Sequence, residues 1–194
     1  MFCNRNNIKW DNFDGLRETV KTFVKEKRYT HILGVEEEAV KIAKMCKCKK
    51  DFIKKLKSAA ILHDITKEFD FNRHLEVFKE YNVILTEDER KAEWSFHSKT
   101  GAYIAKFEFG ADDIIFGGIY NHTDENDLAK SPSLFNKIIY LADWIEPNRT
   151  DERCVKVREY FYSRIETAET LEQKIKAIDE TIFDFVQKNN NNIN

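Results

Sequence analysis

The run Ala59-Ala60-Ile61-Leu62-His63-Asp64-Ile65-Thr66-Lys67 constrains this chain more than any other stretch. An imidazole and a carboxylate stand side by side at the end of an apolar segment, where the chain is entering a core. Burying an isolated charge is costly, and a metal ion is one of the few partners that offsets the cost. A fold built around this run has to bring further ligands to it. The histidines are the natural candidates: His31, His63, His74, His97 and His122.

Apolar spacing places most of them on helices. With 6 Gly and 2 Pro in 194 residues, turn formers are scarce and an all-α chain is predicted. Phe13, Leu16, Val20 and Phe23 recur at spacings of three and four, the mark of an amphipathic helix. His31, Val35, Ala39, Ile42 and Cys46 share one stripe of a second helix. A third is predicted from about Asp51 to Glu68, with Phe52, Leu56, Ala59 or Ala60, and His63 on one face. Asp64 is then turned about 100° from His63. The pair can converge on one site only near an edge of the stripe, or by bridging two ions. Small Ala59 and Ala60 permit close helix approach behind it.

Phe71, Leu75 and Phe78 predict a short helix with His74 on the opposite, solvent-facing side. Thr86 with Glu89 three residues on reads as a helix start. His97, Gly101, Ile104, Ala105 and Glu108 trace a further face that ends near Gly110. Asp112 and Asp113 suit the start of the next helix, whose inner stripe is Ile115, Gly118, Ile119 and His122. Asp124 to Ser131 reads as a polar loop, and Ser131-Pro132 as a helix opening. Phe135, Ile139 and Asp143 stand at i, i+4 and i+8, which puts Asp143 on a buried stripe before Pro147 ends the helix. Cys154, Val157 and Phe161 mark one more helix. Ala168, Leu171, Ile175, Ile178, Ile182 and Phe185 mark a long amphipathic one. Met1 to Trp10 is expected to be a loose lead-in and Asn189 to Asn194 a frayed tail. The whole is expected to be one domain.

Several function classes are disfavoured. Lys and Arg number 32 against 34 Asp and Glu, a formal charge of -2, so no global field recruits nucleic acid. Lys47, Lys49 and Lys50 read as a solvated helix end. No run approaches a membrane span, and Met1 to Asn12 has no apolar core of a secretory segment. Cys46 and Cys48 are too close for a Cys-x-x-Cys zinc pair. Cys3, Cys46, Cys48 and Cys154 are therefore expected to be reduced thiols in a cytoplasmic protein.

Alone, each candidate ligand has a plainer reading as a cap or a hydrogen-bonded core group. Together, His31, His63-Asp64, Asp143, His97 and His122 lie on inward faces of separate helices. Nitrogen and oxygen donors without thiolates suit a first-row divalent transition metal, and helical bundles build such sites from facing helices. Six candidates exceed the needs of one ion, whereas two ions bridged by Asp64 would use them all.

The order His, His-Asp, Asp resembles the HD-domain superfamily of metal-dependent phosphohydrolases. The fuller pattern is similar to its YqeK-type branch. It comprises Arg28-Tyr29-x-His31-x-x-Gly34-Val35, Leu62-His63-Asp64-x-x-Lys67, His97-x-x-x-Gly101-Ala102-Tyr103, Asn121-His122-Thr123 and the run Tyr140 to Arg149. The resemblance implies an HD-domain helical bundle with a metal site in its core. It also implies iron as the ion and symmetrical hydrolysis of diadenosine tetraphosphate to two ADP.

Phosphoanhydride hydrolysis requires a nucleophile at neutral pH and neutralised phosphoryl charge, which a metal supplies. His31, His63, Asp64 and Asp143 are assigned to the principal ion. His97 and His122 either complete a second metal site or bind the phosphates. Asp64 orients the hydroxide, and Lys67 stabilises phosphoryl charge. Arg28 and Arg149 could grip phosphate oxygens or the leaving ADP. The partner is a small nucleotide, and a homodimer is compatible with this reading. The rivals are a 5′-nucleotidase or cyclic-nucleotide phosphodiesterase on the same site, or a nucleotide-binding module without catalysis.

Overall fold

The computed structural model describes residues 7–123, 128 and 133–186. Every regular element among them is helical. In chain order these are α1 (Phe13–Lys21), α2 (Glu26–Met45), α3 (Lys50–Leu62), α4 (Phe71–Glu80), α5 (Glu87–Lys91) and a 3₁₀ turn (Glu93–Ser95). Then come α6 (Phe96–Phe109), α7 (Asp113–Tyr120), α8 (Leu134–Ile145), α9 (Glu152–Ile165) and α10 (Leu171–Asp179), continued by a π-helical segment (Glu180–Val186). No described helix is long and apolar enough to cross a membrane.

The middle of the bundle is the α2–α3 hairpin, with α8 against α2 and α7 against α3. Val35, Ala39 and Ile42 of α2 and Leu56, Ala59 and Ile61 of α3 are fully buried, as their helical spacing demands. The turn between α2 and α3 is tight. Cys48 N donates to Ala43 O and Lys47 N to Lys44 O, the paired bonds of a Schellman ending. Lys47 takes the left-handed position (φ +53°) that usually falls to glycine. Lys47, Lys49 and Lys50 are exposed, as a solvated helix end should be.

α7 reaches α3 and α8 at close range because Gly118 has no side chain. A Cβ there would lie 2.5 Å from the Phe135 ring and 3.6 Å from Ala59 Cβ. Three of the predicted helix ends form. Thr86 and Glu89 make a reciprocal capping box, Asp112 accepts from Ile114 N and Ile115 N, and Gly110 (φ +68°) ends α6.

Four sequence expectations need correction. Regular α3 stops at Leu62 rather than Glu68. Beyond it, Ile65 N bonds Leu62 O, Lys67 N bonds Asp64 O and Phe69 N bonds Thr66 O, all i to i−3, so the chain winds tighter. On α4, His74 is buried at 7% exposure while Phe71 and Leu75 are 46% and 41% exposed. The helix is rolled because His74 Nδ1 finds the buried Thr100 hydroxyl at 2.9 Å and its ring packs on Phe96. Trp10 is not loose: Trp10 N donates to Phe109 O, and Trp10 O accepts from Ser58 Oγ. Leu128, in the stretch read as a polar loop, is helical and fully buried. The α8 cap is Ser133, accepting from Asn136 N; Ser131-Pro132, Cys3 and the tail lie outside the described residues.

Candidate metal centre

Antiparallel packing puts the ends of several helices together. His31 lies in the second turn of α2, His63 caps the end of α3, and Asp143 lies in the last turn of α8. His97 opens α6, and His122 follows α7. His63 packs edge-on to His31 and His122, with ring centroids 5.5 and 5.0 Å away, and His97 lies 5.2 Å from His122. Thus residues spread over more than a hundred positions form one contiguous cluster.

Each of these rings is turned the same way. His63 Nδ1 donates to Ala60 O at 2.7 Å, His97 Nδ1 to Trp94 O at 3.0 Å, and His122 Nδ1 to Ile119 O at 2.6 Å. A carbonyl can only accept, so Nδ1 carries the proton and Nε2 presents its lone pair inward. Burial lowers the basicity of His63 and holds His97 well below the ordinary histidine range. The neutral form is the one that ligates metals.

Asp64 stands at the centre, 2% exposed. Its Oδ2 faces His63 Nε2 at 3.5 Å and His31 Nε2 at 3.7 Å; its Oδ1 faces His97 Nε2 at 3.4 Å and His122 Nε2 at 3.6 Å. One carboxylate therefore addresses two histidine pairs from its two oxygens. Burial opposes ionisation of Asp64, but the surrounding imidazoles, His63 foremost, outweigh it and hold the carboxyl well below its usual range. Asp143 Oδ1 lies 3.0 Å from His31 Nε2 and 2.6 Å from Arg149 Nη2.

The donor set fits a metal ion by its own geometry. His31 Nε2, His63 Nε2 and Asp64 Oδ1 are buried atoms without a hydrogen-bond partner. Such orphans cost free energy unless something else satisfies them. Donor atoms of His31, His63 and Asp64 all lie within 4.8 Å of one another, as do those of His63, His122 and Asp143, and those of Asp64, His97 and His122. These overlapping triads draw on all six residues expected from the sequence.

Three cations ring the cluster. Arg28 Nη1 donates to Asp64 Oδ2 at 2.7 Å. Lys67 Nζ donates to His97 Nε2 at 2.9 Å, and burial lowers its ammonium from the ordinary value. Arg149 is held to Asp143.

Glu146 went unassigned in the sequence reading. It is 1% exposed, and its Oε1 accepts from His31 Nδ1 at 3.1 Å while Oε2 accepts from Asn148 N at 2.7 Å. Burial opposes protonation of His31, but the Asp143 carboxylate beside Nε2 and the bond to Glu146 raise its pKa to about 9. Gly34 makes the room: a Cβ there would lie 2.2 Å from Glu146 Oε2. The available signal was Gly34 itself, one turn from His31 on α2.

Comparison with known proteins agrees with this geometry. The HD domain model matches residues 28–148. A symmetrical bis(5′-nucleosyl)-tetraphosphatase of Halalkalibacterium halodurans is 34% identical over 146 residues, covering 73% of this chain and 72% of that protein. The protein of the same name from Bacillus subtilis is 31% identical over 178 residues, covering 88% and 86%. A solved structure from Clostridium acetobutylicum, titled a predicted HD superfamily hydrolase involved in NAD metabolism, shares the fold. It aligns with a TM-score of 0.68 at 24% identity, covering 92% of this chain and 88% of that one. By this match over most of its length, the chain belongs to the HD domain family.

Proposed function

We propose that the chain is a metal-dependent phosphoanhydride hydrolase that cleaves diadenosine tetraphosphate symmetrically into two ADP. The observation that carries the reading is the inward convergence of four imidazole Nε2 atoms on Asp64 and Asp143, ringed by Arg28, Lys67 and Arg149. The names of relatives at 31% and 34% identity support the substrate.

In this reading His31, His63, Asp64 and Asp143 hold the principal ion, with His97 and His122 completing a second position or meeting the phosphates. When bound, the ion supplies Lewis acidity and a nucleophile at neutral pH; we propose iron. Asp64 ties the two histidine pairs together and orients the attacking oxygen. Lys67 gives up its bond to His97 to meet a phosphoryl oxygen, and Arg28 and Arg149 grip the flanking phosphates. Attack at an inner phosphorus breaks the central P–O–P bridge, and each half leaves as ADP. Free thiols at Cys46, Cys48 and Cys154 fit the proposed cytoplasmic location.

The test is chromatography of nucleotides after incubation with diadenosine tetraphosphate, with excess chelator and metal add-back. Two ADP per substrate, lost on chelation and restored by metal, is the expected result. Inorganic phosphate as the sole new product, or full activity in chelator after long dialysis, would overturn it.

A further inference from the structure

We propose that an aromatic cavity beside the metal centre holds the nucleobase of one half of the dinucleotide, stacked on Trp94 and Phe71. The proposal rests on the dinucleoside polyphosphate reading above and deepens it.

The centre has a different cavity on each flank. One, about 620 Å³, is lined by Lys25, Lys27, Arg28, His31 and Arg149, among others. Glu68, Glu146 and Asp151 line it too, so its charge is mixed with cations in slight excess, and it lies on the His31 side. The other, about 330 Å³, is lined by Lys67, Phe69, Phe71, Trp94, Phe96 and His97, with Glu93 and His74. It lies on the His97 side. Its volume is at the low end of small-molecule sites, which run from roughly 300 Å³ upwards.

The second cavity has the chemistry of a base platform. Trp94 is 58% exposed and Phe71 46%. Phe71 lies nearly parallel to buried Phe96, centroids 6.0 Å apart and planes 22° apart, so its ring is held while one face stays open. The main chain of Trp94 is also fixed, because its carbonyl accepts from His97 Nδ1. The residue that would stack the base is therefore tied through its main chain to His97 of the cluster.

Symmetry of the cut requires two such places. Breaking the middle bridge of a tetraphosphate leaves a nucleoside and two phosphates on each side of that bridge. The cavity on the His31 side accounts for one half only. Lys67 and His97 line the aromatic cavity and also face the centre, so a phosphate chain crossing Lys67 would carry its nucleoside onto Trp94.

The experiment compares wild type, Trp94→Ala and Trp94→Phe, each metal-loaded. Stacking of a base on an aromatic ring makes roughly a tenfold or larger difference in affinity. Trp94→Ala is expected to raise KM for diadenosine tetraphosphate by about that factor with kcat within about twofold, and Trp94→Phe to restore most of it. Independently, ADP is expected to quench tryptophan fluorescence of the wild type, with that quenching missing from Trp94→Phe. An unchanged KM in Trp94→Ala, or identical ADP quenching in wild type and Trp94→Phe, would overturn the base site while leaving the hydrolase reading intact. A wild type that binds ADP through Trp94 but never forms ADP from the dinucleotide would sink the hydrolase reading and keep the base site.

Discussion

Glu146 Oε1 accepts a hydrogen bond from His31 Nδ1 at 3.1 Å, across 115 positions of chain. The bond aims the opposite nitrogen of the ring at Asp143 and Asp64. Such outer partners of ligating histidines typically set metal affinity by about 10- to 100-fold. Glu146→Ala is therefore expected to weaken metal binding within that range, and Glu146→Gln, which keeps an acceptor oxygen, by less. Titration of each variant with metal against a competing chelator measures this; equal affinities in wild type and Glu146→Ala would refute the role.

Gly34 is the same relationship seen from the backbone. An alanine Cβ would press on Glu146 Oε2, which is already committed to Asn148. Overpacking of this kind costs about 1–3 kcal/mol. Gly34→Ala is expected to lose that much stability in urea and to lower metal content in the same preparation. A variant of full stability and full metal content would show that the loop yields freely.

Lys67 and Asp64 are expected to separate in their effects. Asp64→Ala removes the oxygens that address both histidine pairs, so elemental analysis should find the ion depleted and activity lost by orders of magnitude. Lys67→Ala removes a charge donor rather than a ligand. It should retain metal and lose kcat by about 10²- to 10³-fold, the usual effect of deleting one such donor. Loss of metal from Lys67→Ala would move that residue into the binding set.

His74 predicts an acid sensitivity apart from the metal ligands. Burial lowers its pKa to about 4, against Asp70, which favours the charged form. Above the unfolded pKa near 6.5 both states are neutral and the contribution is complete. As pH falls from there towards 4, the unfolded chain takes up the proton first, so stability declines. The decline attributable to His74 is at most roughly 3 kcal/mol. Urea unfolding at pH 7 and pH 4.5 should show a smaller loss in His74→Gln than in wild type; parallel losses would contradict this.

Lys47 supplies a stabilising change. Its φ of +53° is a conformation that costs a side chain about 1 kcal/mol and glycine much less. Lys47→Gly is expected to gain several tenths of a kcal/mol in thermal or urea unfolding, despite the added freedom of the unfolded chain. A loss of stability would mean that the lysine stem contributes more by packing than the backbone costs.

Local order and the set of candidate ligands were already legible in the sequence. Apolar spacing of three and four placed His31, His63, His97 and Asp143 on inward helical faces, because helix period and burial are local consequences of residue type. Thr86, Gly110 and Asp112 marked helix ends for the same reason. Tertiary structure alone decided what each ligand's second atom meets. Only packing puts Glu146 behind His31, lets Gly34 admit it, rolls α4 until His74 finds Thr100, and turns the two oxygens of Asp64 towards different histidine pairs. Those contacts join residues tens to more than a hundred positions apart. Their geometry is set by how whole helices seat against one another, which no local pattern encodes.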